Sequence, residues 1–180
     1  MEPIKLLRQL AEKSIARLND KTKKADVKNA WSGIGFSLRR LDMVAPMGDV
    51  TEIAHLPKYT PVPGTKPWML GIANMRGRLL PIVDMETYFG GELSMNRQNT
   101  RVLVIETDAV YVGLLVSDVY GLKYFPEDAF NAGGIDGDAP FANYVSGKYQ
   151  AGEQNWYRFE PLKLIDSGNF QNAAQEISAA

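Results

Sequence analysis

The 180-residue chain contains no cysteine and a single histidine, His55. The first absence removes disulfides, thiol catalysis and cysteine-ligated metals, and it fits a reducing compartment. The second leaves no histidine cluster for a metal, and no acid pair at ligand spacing stands beside His55. Neither sign of charge dominates. Lys and Arg number 20 against 21 Asp and Glu, and a net charge of −1 gives no bulk pull toward nucleic acid or an anionic membrane. No apolar run approaches the roughly 20 residues that cross a bilayer, and the N-terminus shows no apolar signal core. The expected location is therefore the cytoplasm. No serine sits in a G-x-S-x-G elbow. The stretch GGIDGD, residues 133–138, lacks the Lys-Ser/Thr ending of a phosphate loop and most of the ligands of a calcium loop, so it reads as a surface loop. The parts of an active site are missing from the sequence, no cofactor or metal is implied, and a non-enzymatic module is expected.

What is present is patterned apolar sequence. From Pro3 to Leu18, residues Ile4, Leu7, Ala11, Ile15 and Leu18 recur at spacings of three and four, which predicts an amphipathic helix. Lys5, Arg8, Lys13 and Arg17 lie on its other faces, and a polar, cationic linker, NDKTKKADVKN, follows. From Trp31 the pattern changes to strand-like runs punctuated by Gly, Pro and Asp. Ten runs qualify: GIGFSLRR, LDMVAPM, DVTEIAH, MLGIANM, RLLPIVD, RVLVIET, VYVGLLV, VYGLKYF, YVSGKYQ and NWYRFEP. Tight hairpins are expected at Arg76-Gly77-Arg78 and at Thr107-Asp108-Ala109. A short helix is expected in DMETYFGG, with Asp84 at its start and Gly90 at its end. Another is expected within 160–170, with Leu162, Leu164 and Ile165 facing inward.

Ten short strands are too many for one small barrel. The predicted fold is therefore mainly β: two five-stranded barrels of SH3 type side by side, which close the strand edges, with short helices and the N-terminal helix in addition. The predicted organisation is helix and linker over 1–28, one β domain over 29–172 and a frayed tail over 173–180. Within the domain the first barrel is expected at about 31–90 plus a C-terminal segment and the second at about 100–160, with the polar stretch GGELSMNRQNT as the seam.

Two other function classes are open to such barrels. A nucleic-acid-binding barrel would use the Lys21–Lys28 tail and stack bases on Tyr144, Tyr149, Trp156, Tyr157 or Phe159, although the charge around these aromatics is not basic. A small-molecule-binding barrel or hydrolase would have to rely on carboxylates. The feature that asks for another explanation is the bend at 76–78. Gly77 suits the positive φ of a tight turn, and an arginine on each side projects a pair of long cations from it.

The stretch GIANMRGRLLPIVDM followed by ETYFGG resembles the signature of the CheW-like coupling domain, a G-I-x-N-h-R-G-x-h-h-P-h-h-D-h pattern in which h is apolar. The resemblance covers most of the chain. GFSLRRLDMVAPMGDVTEI is similar to that family's opening hairpin and next strand, and RVLVIETDAVYVGLLVSDVYGLKYF to its later hairpin and V-D-x-V segment. Within the family the chain is most similar to the PilI-type adaptors of twitching-motility systems, which control type IV pili. The resemblance implies two intertwined five-stranded SH3-like barrels. It also implies a non-enzymatic adaptor at membrane-associated arrays, where such domains tie the cytoplasmic tip of a methyl-accepting chemoreceptor to a CheA-class histidine kinase. The kinase carries a homologous regulatory domain, and the two alternate in rings. No nucleic acid and no direct membrane insertion are implied. Carried over by motif, receptor and kinase coupling falls on Arg76, on Glu52, and on Val50 and Ile53 beside it. Val116 and Val119 would complete an apolar groove for a receptor helical hairpin, with Arg78 as an additional cation. The chain departs from the pattern in having Met75 where leucine is commoner, a second arginine at Arg78, and the basic N-terminal helix.

Overall fold

The structure, a computed structural model, describes residues 30–92, 98–135 and 139–173. The expected N-terminal helix and its linker, the middle of the expected seam, the end of GGIDGD and most of the tail lie outside the described residues.

All ten expected strands form. In chain order they are β1 (Ala30–Leu38), β2 (Leu41–Pro46), β3 (Glu52–His55), β5 (Met69–Met75), β6 (Arg78–Asp84), β7 (Arg101–Glu106), β8 (Tyr111–Val116), β9 (Asp118–Pro126), β11 (Val145–Ala151) and β12 (Gln154–Phe159). Two more were not expected, β4 (Tyr59–Thr60) and β10 (Phe130–Ala132). Two and three residues are too few for an alternating pattern to register. Each sheet therefore has six strands rather than five. The first runs β10-β11-β12-β2-β1-β9 and the second β3-β7-β8-β6-β5-β4.

The sheets do not divide the chain where the polar seam was placed. The first is built from residues 30–46 and 118–159, and the second from 52–84 and 101–116. The expected barrel limits, about 31–90 plus a C-terminal segment and about 100–160, are thus replaced by two interleaved sheets. The reason is pairing. β2 joins β12 and β6 joins β8 as parallel neighbours, Met43 opposite Tyr157 and Ile82 opposite Gly113. Parallel neighbours need a long crossover between them, which is invisible to a reading that proceeds hairpin by hairpin.

Both sheets curl. Three strands stand between β3 and β5 in the sheet order, about 19 Å on a flat sheet at ~4.8 Å per strand. Yet Arg76 Nη2, just beyond β5, lies 2.8 Å from Glu52 Oε1 on β3. In the first sheet β2 and β12 separate β1 from β11, but the rings of Trp31 and Tyr149 stack at 5.0 Å. Each sheet wraps a small core of its own. Ala73, Leu80, Ile82, Val102, Val104 and Leu115 fill the second, and Val44, Phe125, Tyr149 and Trp156 the first. A larger core joins them, drawing Phe36, Leu38 and Met43 from one sheet and Val83, Leu103, Ile105 and Leu114 from the other.

The first helix forms as its caps dictate. In α1 (Met85–Tyr88) the Asp84 carboxylate accepts from the Thr87 N–H at 3.0 Å. At its end Gly90 has φ +75°, and the N–H groups of Gly90 and Gly91 donate to the carbonyls of Thr87 and Glu86. That is the Schellman closure, which favours glycine at its left-handed position. The C-terminal segment holds two helices rather than one, α2 (Pro161–Ile165) and α3 (Gly168–Gln171). Leu164 and Ile165 are buried as expected, but Leu162 is 37% exposed. Over a five-residue helix the inward face is too narrow for all three.

Candidate functional site

The signature hairpin is a two-residue turn. Met75 pairs with Arg78, and both intervening residues have positive φ, +53° at Arg76 and +80° at Gly77. Positive φ at both central positions is the type I′ requirement, matched to the twist of the flanking strands. The Asn74 side chain supports the turn by accepting from the Gly77 N–H at 2.9 Å. This explains the N-h-R-G order locally: asparagine braces, glycine permits, and the arginine between them is held in a left-handed backbone that L-residues adopt at a cost of roughly 1–2 kcal/mol.

From that turn Arg76 reaches across the mouth of the curled second sheet to Glu52 at 2.8 Å, and its side chain remains 77% exposed. Arg78 pairs with Glu106 at 2.6 Å and stacks on Tyr111, 3.9 Å from the ring centroid. The two arginines predicted to project together thus each have a carboxylate partner. The mouth is a rim of alternating charge, and its pairs are exposed, so their strength lies in orientation rather than stability. Leu79, next to Arg78, is 70% exposed beside this rim. Sequence reasoning missed it because it continues a strand otherwise directed into cores.

The predicted groove residues separate. Val50 lies in the 47–51 connection, where the chain passes from the first sheet to the second, and Val119 lies just past Ser117, where it passes back. Both are half-buried against the shared core. Ile53, on edge strand β3, is exposed. Val116 is not available to a partner. It is 2% exposed inside the shared core, because its place on β8 faces the opposite sheet. Of these four residues Val50, Ile53 and Val119 keep surface exposed to solvent.

Two further features of the crossings carry no motif. Glu86 of α1 accepts at Oε1 from the Ser117 hydroxyl at 2.7 Å and from the Arg39 N–H at 2.9 Å. One carboxylate so ties the helix to the return crossing and to the β1–β2 turn. That turn, Arg39-Arg40, has positive φ at both residues without glycine or asparagine. At the other crossing, burial pushes the Asp49 carboxyl above its ordinary value; Glu160 adds to the rise and Arg158 opposes it.

No arrangement of reacting groups accompanies the rim. Among the described residues no cluster of three or more His, Cys, Asp and Glu is placed to hold a metal, and no helix is long and apolar enough to cross a membrane. His55 stands in register with Arg101 at the second sheet's edge. Of the aromatics weighed as a stacking platform, Tyr149, Trp156 and Phe159 are buried and Tyr144 and Tyr157 are not fully exposed. What the site offers is recognition by charge, an exposed leucine and half-buried valines.

Residues 32–168 match the CheW-like domain family. The chain is 43% identical over 145 residues, 81% of each protein, to Protein PilI of Pseudomonas aeruginosa. It is 24% identical over 145 residues to Protein FrzA of Myxococcus xanthus, covering 81% of this chain and 88% of that one. To chemotaxis protein CheW of Thermotoga maritima it is 29% identical over 105 residues, 58% of this chain and 68% of the relative. In three dimensions it is similar to the scaffolding protein TtCheW of Thermoanaerobacter tengcongensis, with TM-score 0.67 at 20% identity, covering 77% of this chain and 94% of that one. With its signature residues assembled into a charged rim on paired curled sheets, the chain belongs to the CheW-like domain family, whose members are non-enzymatic scaffolds and adaptors.

Proposed function

We propose that this chain is the adaptor that couples a pilus-type methyl-accepting chemoreceptor to a CheA-class histidine kinase in the system controlling type IV pilus twitching motility. It would work in the cytoplasm, at membrane-associated chemosensory arrays. The likeness to Protein PilI supports the pilus branch. The observation that carries the reading is the meeting of Arg76 and Glu52. They lie 24 residues apart in sequence, come from strands with three others between them in the sheet order, and are joined at 2.8 Å. A pair that exposed adds little stability, so its value lies in presenting a guanidinium at a fixed place.

In this reading a receptor helical hairpin sets apolar side chains against Val50, Ile53 and Val119, and the rim charges Arg76, Glu52 and Arg78 fix its register. Val50 and Val119 sit where the chain crosses between sheets, so a shift of the bound hairpin bears directly on the packing between the two curled units.

The test is co-purification of the full chain with the receptor tip and with the kinase regulatory domain. Arg76→Glu should weaken at least one interaction by tenfold or more while the fold persists. The swapped variant, Glu52→Arg with Arg76→Glu, restores the internal pair with reversed polarity. It should keep the fold, with the pair re-formed, but not recover binding. If both partners bind the reversed chain as well as the original, the role given to Arg76 is wrong.

A further inference from the structure

Among the described residues, strand β9 forms one edge of the first sheet and pairs only with β1. Edge strands of nine residues are normally blunted by charge or covered. The register places Tyr124 opposite Ser32 and Leu122 opposite Ile34, so these four side chains share one face. Met47 joins them: its N–H donates to the Ser32 carbonyl, and its sulfur lies 3.8 Å from the Ser32 hydroxyl. Leu122, Tyr124 and Met47 are all exposed, while Ile34 packs against the shared core. The strip is therefore the open flank of that core. The one lysine of the strand, Lys123, does not protect it. Its ammonium lies 4.9 Å from the Trp156 ring, on the opposite face.

A segment with a matching apolar surface enters the sheet at this same edge. Twenty-nine residues precede Ala30, and Ala30 pairs with Pro126, two positions from Tyr124. The 3–18 segment carries the stripe Ile4, Leu7, Ala11, Ile15 and Leu18. A helix of that length is marginal in water without a surface to cover its stripe. The connection from 19 to 29 spans up to about 36 Å, against about 30 Å for the whole of β9. Charge agrees with the route. The connection carries Lys21, Lys23, Lys24 and Lys28 against Asp20 and Asp26, four cations to two anions, and the exposed acids Glu127 and Asp128 follow directly after Pro126.

We propose that residues 3–18 lie as a helix across Ile34, Met47, Leu122 and Tyr124, covering the open flank of the shared core within the same molecule. The proposal is independent of the adaptor reading, and its test contains no partner protein.

The absence of cysteine makes the test direct. In the full chain, Ile15→Cys or Leu7→Cys is paired with Tyr124→Cys, and disulfide formation is followed in dilute solution. Two controls measure what the tether alone produces, which for a short linker corresponds to a millimolar-scale effective concentration. One pairs Ile15→Cys with Leu79→Cys on the other sheet, and one pairs Lys13→Cys with Tyr124→Cys. An intramolecular disulfide should form at least about tenfold faster with Tyr124→Cys than in either control, and Leu122→Glu should return the rate to the control level. Met47→Cys replaces Tyr124→Cys as a second anchor should the first variant fold poorly. Rates within threefold of the controls overturn the proposal. Disulfides formed only between chains also overturn it, and assign the strip to a second copy instead.

Discussion

Arg76 carries both a cost and a use. Its backbone is left-handed, φ +53°, at a position where asparagine before glycine is the favoured choice. Arg76→Asn relieves that strain and loses one exposed ion pair, generally under about 1 kcal/mol. The variant should therefore be as stable as the original or more so, by up to about 1 kcal/mol. Urea denaturation checks this. Under the proposed function the same variant should bind its partners less well, the usual exchange when a site holds strain. The hairpin with its flanking arginines was legible because glycine marks tight turns. The carboxylate partners were not legible. Glu52 and Glu106 lie 24 and 28 residues from their arginines, and nothing local connects them. Val116 was misplaced for the same reason, since alternation names the face of a strand but not what stands opposite it.

Elements whose signals are local were read correctly, and two of them can be tested. Asp84 is buried and caps α1 through the Thr87 N–H. Asp84→Ala should destabilise the chain by about 1–2 kcal/mol, measured as a lower urea midpoint at unchanged slope. Gly71, the first glycine of the signature, has φ +148° at a register shift in the β5–β6 pair, and a Cβ there would stand 2.2 Å from the Thr60 carbonyl oxygen. Gly71→Ala should cost on the order of 3 kcal/mol, since backbone must move to admit it. A stability within about 0.5 kcal/mol of the original would show that β4 gives way freely. β4 escaped the sequence reading because it is held only by its pairing with Ala73 and Ile72 of β5, and its two residues have no pattern of their own. The Arg39-Arg40 turn, expected only through the resemblance to the family's opening hairpin, uses none of the residues that usually signal a turn and draws support from Glu86 and from the Phe89 carbonyl.

Across the whole molecule, one core fed by both sheets makes the chain a single cooperative unit, and three tyrosines, of which Tyr149 alone is fully buried, give it an alkaline limit. Desolvation raises the hydroxyl pKa of Tyr88, Tyr120 and Tyr149, the last against the opposing charge of Arg158. Above the ordinary tyrosine value, about 10, the unfolded chain has lost these protons while the folded chain keeps them. Stability therefore falls as pH rises from there through the higher folded values. Tyr149→Phe has no proton to lose at that site, so its urea midpoint should decline less steeply than the original's between about pH 9 and about pH 11. Equal slopes would show that Tyr149 contributes nothing to the alkaline loss.

Mainly β structure, ten of the twelve strands among the described residues, the caps of the first short helix and the arginine turn follow from neighbours along the chain, because periodicity, glycine and capping act over a few residues. The interleaving of the two sheets, the closing of Arg76 on Glu52, the burial of Val116 and the tie from Glu86 to Ser117 and Arg39 depend on parallel crossovers and on curl. Those are set by how distant segments share one core, and only the packed molecule brings them within reach of each other.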